Sequence, residues 1–258
     1  MNKITAAFQQ GKAFIPFLTG GDPDIATTEQ LIRAMVEAGA DLIEIGIPFS
    51  DPIAEGTVIQ EASQRALHGG CTVDQLFDMV ARLRNDVTIP LVFMGYGNSV
   101  YGYGAEKFMK RCREVGIDGL ILPDVPFEER QEFANVMDRY HITQISMVAP
   151  TSQNRVRAIA KEAKGFLYCV SSLGVTGVRS QINHDISEII ALARQETDTP
   201  CAIGFGISTP EQAVEMAQLA DGVIVGSAIV KIIAEYGRGS VPVVREYVRT
   251  MKKAIQNL

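Results

Sequence analysis

Three carboxylates gather within twelve residues of this chain: Glu44, Asp51 and Glu55, in the run Asp41-Leu-Ile-Glu-Ile-Gly-Ile-Pro-Phe-Ser-Asp-Pro-Ile-Ala-Glu55. Glu44 interrupts an apolar stretch that reads as a buried strand, where an uncompensated charge costs several kcal/mol. A carboxyl desolvated in that way keeps its proton to higher pH than usual and is suited to trading protons near neutrality. A structural ion pair is the rival reading. Pro48 and Pro52 end any strand ladder, so Asp51 and Glu55 fall on a loop that closes where a helix starts near Val58. Glu55 on that loop can reach the same place as Glu44 and serve as a second acid or base.

A second set of residues points to the ligand. The stretches Ser171-Ser-Leu-Gly-Val-Thr-Gly177, Gly204-Phe-Gly-Ile-Ser208 and Gly226-Ser227 are rich in glycine. Glycine lets backbone N–H groups approach a bound group closely, and a helix starting at Ser227 aims its positive dipole end at the same spot. Phosphate is the natural occupant. The last two stretches carry no Lys or Arg, so binding there rests on amides and dipoles. Thr176-Gly177 followed by Arg179 suits a lid that closes over a phosphate ester and excludes water. Tyr168, in step with Phe166 and Val170, reaches either a ligand or a core partner. Asp22 and Asp124 sit beside prolines and read as turn caps.

Elements that would position these groups alternate along the whole chain. Eight short apolar runs read as strands: Ala13 to Leu18, Asp41 to Ile45, Pro90 to Met94, Gly119 to Leu122, Thr143 to Val148, Phe166 to Val170, Cys201 to Ile203 and Gly222 to Val225. Segments of helical period lie between them, such as Thr27 to Ala38 with Gly39 as its cap. A weak repeat of helix end, turn and strand recurs at 37 to 45, 114 to 122 and 219 to 225, each copy containing an Asp at the turn. No linker or compositional shift divides the chain. The pattern predicts one α/β domain over residues 1–258, a (β/α)8 TIM barrel, with an extra opening helix at Asn2 to Gln10. Extra helices are expected at Val58 to His68, Val73 to Asn85 and Val241 to Gln256. In such a barrel the active site lies at the C-terminal strand ends, where all the stretches above would fall.

Composition narrows the classes. The 258 residues are 47% hydrophobic with a formal net charge of -6, which disfavours a nucleic-acid surface, and no apolar run is long enough for a membrane span. The opening residues lack the pattern of a secretory signal, and four scattered cysteines read as free thiols of a cytoplasmic protein. No CxxC or HExxH spacing supports a metal site.

Four signatures at successive strand ends resemble one family. Pro16-Phe17-Leu-Thr-Gly-Gly-Asp-Pro23, Glu44-Ile-Gly-Ile-Pro-Phe-Ser-Asp-Pro52, Tyr168-Cys-Val-Ser-Ser-Leu-Gly-Val-Thr-Gly177, and Gly204-Phe-Gly-Ile207 with Gly226-Ser227 are similar to the tryptophan synthase alpha chain family, in order and over essentially the whole length. The resemblance implies a lyase that splits indole-3-glycerol phosphate into indole and glyceraldehyde 3-phosphate by a retro-aldol reaction. It places Glu44 as the catalytic glutamate. Glu55 takes the place of the second acid, which hydrogen-bonds the indole N–H and is Asp in many members. It implies that Phe17, Tyr168, Thr176 and Phe205 line the substrate site, that Gly177, Gly206, Gly226 and Ser227 cradle the phosphate, and that Asp51 faces a partner. That partner is a beta chain in an alpha2beta2 tetramer. Pyridoxal phosphate belongs to the beta chain, and no metal or cofactor belongs to this one. Two other readings compete: a docking and regulatory module with weak chemistry of its own, and a phosphosugar isomerase. The second needs acids where Thr19 and Val148 stand.

Overall fold

The computed structural model describes residues 2–150, 152–170, 179–204 and 206–258, the stretch 179–185 by its backbone alone. Its strands are β1 (Ala13–Thr19), β2 (Ile43–Gly46), β3 (Leu91–Met94), β4 (Gly119–Ile121), β5 (Thr143–Gln144), β6 (Ser146–Val148), β7 (Leu167–Val170), β8 (Cys201–Gly204) and β9 (Gly222–Val225). They form a single parallel sheet in the order β5-β4-β3-β2-β1-β9-β8-β7-β6. Only Ile145 separates β5 from β6, and its N–H still donates to Leu120 O at 3.0 Å. The two ends of the order are therefore halves of one strand, and the sheet closes into the eight-staved barrel that the sequence predicts.

The outer ring consists of α2 (Ile25–Glu37), α3 (Thr57–His68), α4 (Val73–Leu83), α5 (Gly97–Tyr103), α6 (Ala105–Val115), α7 (Gln131–Arg139), α8 (Gln153–Lys161), α9 (Arg179–Ala193), α10 (Pro210–Leu219), α11 (Ser227–Tyr236) and α12 (Ser240–Ile255). The extra helices fall where expected, α3 and α4 between β2 and β3, and α12 at the end, packed on α2 and α10. The opening helix is shorter than its periodicity implies. Only α1 (Lys3–Ala6) is α-helical, and the chain continues through Gln9 in tighter turns, with Ala7, Phe8 and Gln9 each bonding three residues back. That tightening delivers Phe8 onto Phe166, ring centroids 5.7 Å apart, while the fully buried Ile4 plugs the lower end of the barrel.

Strand periodicity sorts the core into two shells. Ile15, Phe17, Leu42, Val92, Met94, Ile121, Tyr168, Ala202 and Ile224 fill the lumen, whereas Phe14, Leu18, Ile43, Ile45, Leu91 and Phe93 pack outward beneath the helices.

The repeated Asp has a structural task that the repeat alone does not reveal. Asp41, Asp118 and Asp221 each donate a backbone N–H to the carbonyl of a neighbouring strand residue, Phe14, Leu91 and Cys201, at 3.0, 2.9 and 2.8 Å. Each carboxylate then accepts that same residue's N–H, at 2.7, 3.0 and 2.8 Å. The bonds satisfy the first backbone donors of the staves at the N-terminal face. Lys252 ties α12 to this layer by donating to Asp41 Oδ2 at 2.7 Å and to Lys12 O at 3.0 Å. Arg84 does the same for Asp118, donating to its carboxylate at 2.5 Å and to the carbonyls of Gly116, Val87 and Ile89. With both side chains largely buried, removing the guanidinium takes the close cation from the Asp118 carboxylate and a donor from three carbonyls. Arg84→Met is expected to lower the unfolding free energy by about 3–5 kcal/mol, read from urea titration at neutral pH.

Candidate active site

Glu44 lies on β2 in register with Phe17 on β1 and Val92 on β3, and its parity with Leu42 turns it into the lumen. Only 1% of the residue is exposed, and neither carboxylate oxygen has a hydrogen-bond partner among the described residues. The ion-pair reading therefore finds no cation. Burial, reinforced by the charge of Glu55, pushes the Glu44 carboxyl up to about 8.

Glu55 arrives from the loop between β2 and α3. Gln60 Nε2 on α3 donates to its backbone carbonyl at 2.8 Å, and the hydroxyl of Tyr96 donates to its carboxylate. Burial raises its pKa, the Tyr96 hydrogen bond opposes the rise, and the charge of Asp124 adds to it. Both acids face one cavity of ≈ 270 Å³, whose walls include Phe17, Met94, Tyr168, Ile207 and Ile224. One end is acidic and the middle apolar, which suits a flat, electron-rich ring.

Tyr168 crosses the lumen because β8 leaves it room. A Cβ on Gly204 would stand 2.4 Å from the Tyr168 hydroxyl. Tyr168 lines the cavity, where burial and the charges of Glu44 and Glu55 push its phenol well above its ordinary pKa.

Gly206, Gly226, Ser227 and Ala228 line the same cavity. Gly206 takes φ +76, a left-handed conformation that side chains disfavour. Gly226 is the N-cap of α11 and supplies no capping side chain, so the first N–H groups of that ten-residue helix have no intrahelical acceptor. An anion at this end of the cavity meets amides and the positive end of a helix dipole. Thr176, Gly177 and Phe205 lie outside the described residues.

The structure brings Glu44, Glu55, Phe17, Tyr168, Gly206, Gly226 and Ser227 together and leaves Asp51 apart. Asp51 sits on the exposed rim, bonded to the Ser50 hydroxyl, with Ile53 two residues on and 81% exposed. The turn-cap reading of Asp22 and Asp124 is corrected. Asp22 is buried and accepts two bonds from Arg65 on α3, at 2.9 and 2.7 Å. Asp124 accepts the Gly97 N–H at the start of α5, at 3.0 and 3.1 Å. Each found a distant partner that local sequence does not display.

This geometry has known counterparts. The sequence model of the tryptophan synthase alpha chain family matches residues 4–256. The chain belongs to the tryptophan synthase alpha chain family. It is 47% identical over 262 residues to the tryptophan synthase alpha chain of Caldanaerobacter subterraneus subsp. tengcongensis, covering 99% of this chain and 100% of the relative. It is also 47% identical over 256 residues to that of Lactiplantibacillus plantarum, covering 99% and 97%. A crystal structure of tryptophan synthase subunit alpha from Legionella pneumophila superposes with a TM-score of 0.90 at 35% identity, covering 100% of both chains. A chain of the tryptophan synthase complex from Pyrococcus furiosus gives 0.86 at 34% identity, covering 94% of this chain and 98% of that one. The tryptophan synthase alpha chain family is a lyase family of tryptophan biosynthesis, and the barrel described here is its fold.

Two side chains of the site escaped the sequence reading. Tyr96 keeps the parity of Val92 and Met94, two residues beyond the end of β3. Lys231 lines the cavity one helical turn beyond Ser227, a spacing of four that puts both on one face of α11.

The raised Glu44 pKa has a stability consequence with a definite sign. An unfolded glutamate ionises near 4.5, and the folded one near 8, so between those values the native state holds the extra proton and stability falls as pH rises. Glu44→Gln lacks that slope. Its unfolding free energy relative to the parent is expected to grow by a few kcal/mol between about pH 5 and about pH 8, measured by urea unfolding at each pH.

Proposed function

We propose that residues 1–258 act as one barrel domain that cleaves indole-3-glycerol phosphate to indole and glyceraldehyde 3-phosphate. The observation that carries this reading is the pairing of two carboxyls, Glu44 and Glu55, in one cavity that is also lined by the uncapped start of α11. The phosphate rests on the amides of Gly206, Gly226 and Ser227. Phe17, Tyr168 and Phe205 enclose the ring.

Glu44 enters the reaction protonated and transfers its proton to indole C3. The resulting carboxylate then takes the proton of the adjacent glycerol hydroxyl as the C–C bond breaks. The electron pair of that bond returns to the ring, the former hydroxyl carbon becomes the aldehyde, and Glu44 is protonated again. Glu55 stays ionised and accepts the indole N–H, which stabilises the positive charge that C3 protonation places on the ring. The step needs neither a metal nor an organic cofactor in this chain, and among the described residues no His, Cys, Asp and Glu cluster is arranged to hold a metal.

Asp51 and the exposed Ile53 present the rim to a pyridoxal-phosphate-dependent beta chain, which receives the indole in an alpha2beta2 tetramer. The Pyrococcus furiosus relative was solved as a tryptophan synthase complex. Cytoplasmic action fits that pathway, and among the described residues no helix is long and apolar enough to cross a membrane.

Glu44→Gln is expected to lower kcat for indole-3-glycerol phosphate cleavage by roughly 10²–10⁴-fold with little change in substrate affinity, measured as indole release. Turnover within a few-fold of the parent would remove Glu44 from the chemistry. In the parent, kcat/KM is expected to fall on the alkaline side with an apparent pKa near 8, as Glu44 loses the proton it must deliver.

A further inference from the structure

Loop two carries the second acid, yet a loop is a poor platform for a group that must be placed to within a fraction of an ångström. One side chain from outside the loop supplies the missing rigidity. Tyr96 stands two residues beyond β3, 3% exposed, on the lumen face continued from Met94. Its ring stacks on Phe49 near the start of the loop, with centroids 4.9 Å apart and planes 22° from parallel. Its hydroxyl accepts the N–H of Ala54 at 2.9 Å and donates to Glu55 Oε2. The loop is thus gripped near both ends by one residue, while Gln60 fixes the Glu55 carbonyl from α3.

A phenol has a single proton. With the Ala54 amide occupying the acceptor side of the oxygen, the O–H has a fixed direction, toward the carboxylate. We propose that Tyr96 is a positioning residue for the proposed reaction: its amide-oriented hydroxyl holds one oxygen of Glu55, keeps that group anionic, and leaves the other oxygen facing the ring N–H of the substrate. The inference rests on the two-acid reading above.

The surroundings make that donor consequential. Glu55 faces Glu44 from β2, Tyr168 from β7 and Asp124 from the loop after β4, with Lys231 of α11 lining the same cavity. Burial and Asp124 drive its carboxyl toward protonation, and the hydrogen bond from Tyr96 works against them. The charge retained on Glu55 in turn helps Glu44 keep its proton. One hydroxyl therefore holds two acids in opposite states, an acceptor and a donor. Removing it raises the Glu55 pKa.

The test is Tyr96→Phe in the full-length chain, which keeps the ring and its stack on Phe49, followed as kcat/KM for indole-3-glycerol phosphate cleavage across pH. The expected result is a loss of about tenfold or more near pH 7, the scale of one hydrogen bond to a charged group. The acid limb moves up by about one pH unit while the alkaline limb stays. In a Glu55→Gln background the same substitution adds less than about twofold, because the group it positions no longer ionises. A ring-fluorinated tyrosine at position 96, a stronger donor of the same shape, moves the acid limb down, and it remains informative should Tyr96→Phe fold poorly. An unmoved acid limb in both variants, or an equal loss from Tyr96→Phe with and without Glu55→Gln, overturns the inference. Failure of the underlying reading is distinguishable, since there Glu55→Gln by itself leaves turnover intact.

Discussion

A carboxyl enclosed in an apolar barrel is the constraint on which the rest of this structure depends. Glu44 has neither a cation nor a hydrogen-bond donor within reach among the described residues, so the fold must tolerate it by keeping it protonated. A second acid across the same cavity deepens the conflict. What is a cost to the folded state is the property the proposed chemistry would use, because a carboxyl poised near 8 can both donate a proton to carbon and accept one from a hydroxyl.

Such a site requires compensation elsewhere, and the barrel supplies it at its opposite face. There the carboxylates are satisfied: Asp41, Asp118 and Asp221 close the lower ends of the staves, and Lys252, Arg84 and Arg194 pair with them in turn. Ile4 and Phe166 close the lumen below the acid. Stability is concentrated at the N-terminal ends of the strands, and function at the C-terminal ends. Glu44 differs from these aspartates in its deeper burial and in having no donor among the described residues.

The upper face is built from side chains that hold loops rather than strands. Tyr96 grips loop two, Asp124 caps α5, and Arg65 pins Asp22 behind β1. Glycines serve the remaining need, for space: Gly204 admits the Tyr168 ring, and Gly206 takes a left-handed conformation where it lines the cavity. Shape, charge and backbone direction thus converge on one volume from β1, β2, β3, β7, β8 and α11.

Much of this was legible in the order of residues. Alternating apolar runs determined the eight staves to within a residue or two, because a parallel barrel strand buried on both faces must be apolar throughout, and Glu44 stood out as the exception to that rule. Glycine placement likewise marked residues that line the cavity, Gly206 and Gly226. The length of α1 was not legible, because Phe8 and Ile4 turn inward to meet a lumen that periodicity does not contain. Nor were the partners of Asp22 and Asp124, the grip of Tyr96 on Glu55, or the arrival of Lys231 in the cavity. Sequence alone decided which groups are polar, which are small, and how often they recur. Only the closed barrel decided who meets whom, because hydrogen bonds and pKa values depend on distance through space, and the ring brings residues dozens of positions apart to within a few ångströms.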